Sequence, residues 1–205
     1  MPVLFRLLLA ATFALTLAGE PALAQKKVKT ETIREPETPA AKAKGPKQNA
    51  APAEIIRDLS RLPDAVRKKR EEILAAARSG DLEKVAAIMK AQATLPVFTF
   101  GGDAEPVAFW RTAFPDSQGV EVLSTLIEVL EMPFVQLDRG NPNETFVWPY
   151  FHAVALDKLT PEQRVELFRL VTAFDYKEMQ KFGSYNFFRV GITPDGTWQF
   201  FVGGD

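Results

Sequence analysis

Near its C-terminus the chain reads YNFFRVGITPDGTWQFFV over residues 185–202, and no other stretch limits the fold as sharply. Two runs rich in aromatic and β-branched residues flank the turn-forming pentad Thr193-Pro194-Asp195-Gly196-Thr197, a pattern that predicts a β-hairpin. Alternation puts Phe188, Val190 and Ile192 on one face of the first strand. It puts Trp198, Phe200 and Val202 on one face of the return strand. Phe187 stands beside Phe188 and Phe201 beside Phe200, so both faces of each strand carry large apolar groups. One face must pack on helices. The other is either covered, most economically by the aromatic segment TFVWPYF at 145–151, or forms an exposed binding patch.

The residues ahead of the hairpin supply the helices. EIIRDLSRL at 54–62 predicts a short first helix, and Pro63 suits the first turn of a second that runs through AVRKKREEILAAARS. Val66, Ile73, Leu74 and Ala77 share one face of that second helix. The run Arg67-Lys68-Lys69-Arg70 is followed at once by Glu71 and Glu72, which marks a solvated helix face rather than a nucleic-acid contact. Gly80 and Asp81 predict a left-handed stop and the N-cap of a further helix, LEKVAAIMKAQA.

LPVFTF at 95–100 reads as a short strand released by Gly101-Gly102, after which Asp103 is placed to cap a helix over AEPVAFWRTAF. The next helix, GVEVLSTLIEVLEM, carries Val120, Leu123, Ile127 and Leu130 at helical spacing. Residues 133–156 are apolar and aromatic at both ends with a loop between them. Thr160-Pro161-Glu162-Gln163 is a capping box opening EQRVELFRLVTAF, with a further amphipathic turn, DYKEMQKF, stopped by Gly183. Helices followed by a late hairpin, with one or two additional short strands, make a mostly helical α+β domain over residues 54–205.

The first residues are organised differently. Arg6, an apolar run from Leu7 to Leu17 and then Ala22-Leu23-Ala24 have the layout of a secretory signal peptide over 1–24, with cleavage after Ala24. The run is about 11 residues, short of the roughly 20 that span a bilayer, so no transmembrane helix is expected in the mature chain. Residues 25–53 are rich in Lys, Ala and Pro, with Val28 and Ile33 as almost their only large apolar side chains. Such a segment buries too little surface to offset its ordering entropy and is expected to be a disordered linker. The chain has no cysteine, which excludes thiol catalysis and cysteine metal sites.

Chemistry-bearing residues are few. The one histidine, His152, lies among aromatic and aliphatic neighbours; as a general base it would need a carboxylate partner, with Asp138, Glu144 and Asp195 as candidates. Asp138, Asn141, Asn143 and Glu144 cluster in one loop, but their spacing does not match a calcium loop and their residue types are those of a surface turn. No metal or cofactor is therefore expected. If a ligand site exists, the junction of the aromatic segment with the hairpin is the place for it, with Trp148, Tyr150, His152, Arg189 and Asp195 as its contacts.

From Phe98 onward, in FVWPYF, LDKLTPEQRVELFRLVTAFDYKEM and above all FGSYNFFRVGITPDGTWQFFVGGD, the chain resembles a family of small exported bacterial proteins of unassigned function. The resemblance implies a periplasmic single-domain protein and supplies no catalytic residues. Together these features point to an exported binding or accessory module of the cell envelope, with an envelope protein or wall polymer as partner. The alternative is a hydrolase of envelope glycan or peptide that uses His152 or paired carboxylates.

Overall fold

The computed structural model describes residues 53–102 and 105–204. The signal-peptide reading of 1–24, nearly all of the linker reading of 25–53, and the expected cap Asp103 lie outside the described residues. Within them the fold is α+β, with the strands towards the C-terminus and no helix long and apolar enough to cross a membrane.

Among the described residues four helices precede the first strand: α1 (Asp64–Arg78), α2 (Leu82–Lys90), α3 (Pro106–Ala113) and α4 (Glu121–Glu131). Pro63 stands at the N-cap of α1, Gly80 takes φ 73° after it, and the Asp81 carboxylate accepts from Glu83 N to open α2. For α3 the cap is Glu105, whose Oε2 accepts from Ala108 N at 2.8 Å. The face of α1 holds as expected, with Val66, Ile73, Leu74 and Ala77 buried. On α4 the buried stripe is instead Val122, Leu123, Leu126, Val129 and Leu130, and Val120 is exposed.

The first expected helix is absent. Ile56 forms a β-bridge with Phe134, exchanging N–H···O bonds of 2.8 and 3.0 Å, and only a 3-10 turn at Leu59–Arg61 follows. Two adjacent β-branched residues gain more from a sheet edge that buries Ile56 than from a helix too short to sustain itself.

The sheet holds β1 (Val135–Leu137), β2 (Thr145–Trp148), β3 (Arg189–Ile192) and β4 (Trp198–Val202), antiparallel throughout in the order β1-β2-β3-β4. The 133–156 segment is thus a second hairpin. Thr145–Trp148 pairs edge to edge with β3 rather than covering its face, and only its continuation, Tyr150 and Phe151, crosses to the second face. Each outer edge is met at one residue by the chain itself. Ile56 lies beside Phe134 just ahead of β1, and Val97 bridges β4 in parallel, donating to Gln199 O and accepting from Phe201 N. Such bridges shorten the free edge open to further pairing.

One residue breaks the expected alternation. Ile192 faces Trp198 and Gly191 faces Phe200, leaving Gln199 as an extra residue in β4 with no partner on β3. The bulge flips the sequence of faces beyond it. Trp198 and Phe201 therefore pack together with Val190 and Ile192 against α1 to α4, while Phe200 turns to the opposite face. The expected grouping of Trp198, Phe200 and Val202 does not occur.

That opposite face is covered by the long connection between β2 and β3. It carries 3-10 turns at Tyr150–Ala153 and Leu156–Lys158, then α5 (Pro161–Leu167) and α6 (Ala173–Phe182). Tyr150, Phe151, Leu156, Leu167, Val171, Met179 and Tyr185 form its core with Val135 and Val147. The expected single helix from 162 to 174 is divided. Thr160 and Gln163 form the predicted capping box, but Thr172 and Asp175 form a second one that restarts the chain as α6. The result is a sheet buried on both faces, the arrangement that the doubled aromatics of the hairpin demand.

Candidate binding surface

The five residues singled out from the sequence do not converge. Trp148 is fully buried on the α1–α4 side, whereas Tyr150 is fully buried on the opposite side. Asp195 is spent on the hairpin turn: its carboxylate accepts from the Thr193 and Thr197 hydroxyls at 2.5 and 3.1 Å and from Thr197 N at 3.0 Å. These bonds hold its pKa below the ordinary aspartate value. Arg189 starts β3 at the other end of the hairpin, where its Nη1 donates to Gly204 O at 2.7 Å. It fastens the departing chain after β4, and Gly204 N donates to Asn186 O beside it.

His152 lies half-buried in the 3-10 turn at Tyr150–Ala153, after β2 has ended. Leu137 pairs with Thr145 and Phe146 with Ile192, so the 138–144 loop and the 193–197 turn, which carry Asp138, Glu144 and Asp195, share one end of the sheet. The chain leaves β2 for His152 from Trp148, at the other end. Glu144 is occupied in its own loop, accepting from Gln136 Nε2 at 2.5 Å and Gly140 N at 2.8 Å.

A polar group that the sequence reading did not find joins three distant segments. Tyr150 Oη donates to Glu166 Oε2 at 2.7 Å, and Arg57 grips the same carboxylate with Nη1 at 2.5 Å and Nη2 at 3.1 Å. Arg57 holds the Glu166 carboxyl below its usual range, and burial, aided by Glu166, pushes the Tyr150 phenol well above its own. The phenol therefore stays a donor and the carboxylate an acceptor, which locks α5 to the lead-in segment before α1. Nothing in local spacing marks such a group, since its members are 93 and 16 residues apart along the chain from Arg57 to Tyr150 to Glu166.

Outward from this clamp, the α5–α6 layer displays large apolar side chains to solvent. Val165 is 69% exposed, Phe168 46%, Phe174 66% and Phe182 56%. Val165 and Phe168 are one turn apart, and the Phe168 ring meets Tyr176 of α6 edge-on at 5.6 Å. Phe174 and Phe182 stand near the two ends of α6. The aromatics of the sheet, by contrast, are packed inside. Several charges on the layer are already engaged: Glu166 by Arg57, Glu178 by Lys181 at 2.6 Å, and Asp175 by the α6 cap. Among the described residues no group of three or more His, Asp or Glu is placed to hold a metal ion.

No protein-family model matches the chain, no curated protein matches it, and no solved structure matches it.

Proposed function

We propose that this chain is an exported binding or accessory module of the cell envelope, and that its partner is another protein docking on the α5–α6 layer. The observation that carries the reading is the exposure of Val165, Phe168, Phe174 and Phe182 in a domain whose other aromatic side chains are largely packed away. Aromatic groups with depleted net charge are the composition of protein–protein contacts, while an anionic polymer would ask for an uncompensated basic face. The signal-peptide layout supports the envelope as its place of action.

The test uses point changes, because Trp198 and Phe201 of β4 belong to the core and the strand cannot be deleted without unfolding the domain. A photo-crosslinking residue at position 174, in cells making the full chain, is expected to trap one discrete envelope protein. The same residue at exposed Leu95 is not expected to trap it. With the crosslinking residue kept at 174, Val165→Ser combined with Phe182→Ser, both changes at exposed positions, should abolish the adduct without lowering the melting temperature. Equal adducts from both positions, or an undiminished adduct in the double variant, would overturn the docking surface. Turnover of an envelope glycan or peptide that is lost in His152→Gln would establish the hydrolase instead.

A further inference from the structure

Beside the α5–α6 layer, a cleft of about 170 Å³ opens between α4 and the turn joining α5 to α6, lined by Ser124, Thr125, Glu128, Arg169, Leu170 and Phe187. Its polar wall is a single helix face, because Ser124, Thr125 and Glu128 recur at i, i+1 and i+4. The Thr125 hydroxyl donates to Glu121 O at 3.3 Å, which leaves its oxygen able to accept. Ser124, exposed to solvent, keeps a hydroxyl able both to donate and to accept. Arg169 forms a further part of the lining, with Nη2 3.0 Å from Glu128 Oε2 and 3.9 Å from Glu131 Oε2. All three side chains are well exposed, so the pairing is weak and can reopen towards a ligand. The remaining wall is apolar: Leu170, and Phe187, whose ring is held edge-on by Phe188 at 5.2 Å.

The chemistry of this lining selects its occupant. A guanidinium and a carboxylate side by side present a donor pair and an acceptor pair without a surplus of positive charge, which disfavours phosphate and other anions. Two hydroxyls complete the polar part of the lining, and Leu170 and Phe187 form its apolar part. A molecule with hydroxyls on its rim and a C–H face fits both walls. The volume falls below the roughly 300 Å³ at which pockets take drug-sized ligands, so it admits one ring.

We propose that this cleft is a subsite for one residue of a neutral sugar, with Arg169 and Glu128 sharing its vicinal hydroxyls and its C–H face against Phe187 and Leu170. The site is separate from the protein-docking reading and does not depend on it. A dozen or so heavy atoms at modest efficiency give a dissociation constant on the order of millimolar.

The test is an amide ¹H–¹⁵N titration of the full chain with N-acetylglucosamine and glucose as neutral probes and inorganic phosphate as the anionic one. Saturable movement of the Ser124, Thr125, Glu128, Arg169, Leu170 and Phe187 signals is expected with at least one sugar, half-complete in the millimolar range. Ser124→Trp, which fills the cleft from an exposed position, should abolish that movement at an unchanged melting temperature, and Arg169→Gln should raise the half-saturation concentration by about tenfold, the loss of one charge-assisted hydrogen bond. No saturable movement up to about 100 mM sugar, well above the millimolar range expected, would overturn the proposal. So would movement with phosphate alone, or movement that survives Ser124→Trp.

Discussion

Gly191 sits in the middle of the sheet, paired on both sides, and the Phe200 ring lies directly over it. A Cβ built at Gly191 would stand 2.3 Å from Phe200 Cε1 and Cζ and 2.9 Å from Cδ1. Ordinary carbon contacts are about 3.5–4.0 Å, so Gly191→Ala requires the ring to leave or the strands to separate. Because Gly191 does not have a positive φ, the backbone itself accepts alanine and the cost is steric alone. Overpacking of this kind costs about 1–3 kcal/mol. Removing the ring removes the conflict, and alanine is then preferred over glycine in a strand by about 0.5–1 kcal/mol. Gly191→Ala should thus destabilise the wild type by about 2 kcal/mol and stabilise Phe200→Ala slightly, a coupling of about 2–4 kcal/mol across the double-mutant cycle. Urea unfolding followed by tryptophan fluorescence reads this directly, since Trp110, Trp148 and Trp198 are all buried. Equal effects of Gly191→Ala in the two backgrounds would refute the claim that this glycine exists to seat the ring.

Three further outcomes follow from the same geometry. Gly196 and Gly183 both have positive φ, but a Cβ at Gly196 would lie 2.9 Å from Ala65 O whereas Gly183 faces open space; Gly196→Ala should cost about 2–4 kcal/mol and Gly183→Ala about 1, and equal losses in urea would remove the contact with α1 as a cause. Glu166 has its folded pKa depressed by Arg57, so the stability it contributes is present above its unfolded value and lost as pH falls through the folded one. Glu166→Gln should therefore cost about 1 kcal/mol at neutral pH, with the difference from wild type shrinking below about pH 4; a difference that stays constant to pH 2.5 or so would contradict the charge assignment. Arg70→Met should cost about 1–2 kcal/mol by leaving Leu130 O, near the C-terminus of α4, without its 3.0 Å donor, and an unchanged urea midpoint would show that the bond contributes nothing.

Much of the secondary structure was legible because its causes are local. The Asp81 cap, the Thr160 capping box, the Gly183 stop and the Thr193–Thr197 turn each rest on residues within a few positions of one another, and all are present. The misreadings share the opposite property. Ile56 leaves a helical pattern because Phe134, far along the chain, offers it a sheet edge. Arg70 looks like part of a solvated basic run but is buried, because α4 brings the Leu130 carbonyl to it. The division between α5 and α6 is the exception: its cause, the capping box Thr172-Ala-Phe-Asp175, is local, and an amphipathic pattern that runs on through it masks it.

The candidate site shows the same boundary. Strand alternation, a property of the backbone, already puts aromatics on both faces of the C-terminal hairpin and so requires cover on both sides of the sheet. Which aromatics that cover hides is set by how segments far apart in the chain pack together. The Gln199 bulge sends Phe200 away from Trp198, the register separates His152 from Asp138, Glu144 and Asp195, and the crossing connection buries Tyr150 while leaving Phe168 and Phe174 outside. Periodicity says that a side chain faces a layer; which layer arrives there depends on contacts between residues far apart in the chain, whose energies no local window contains.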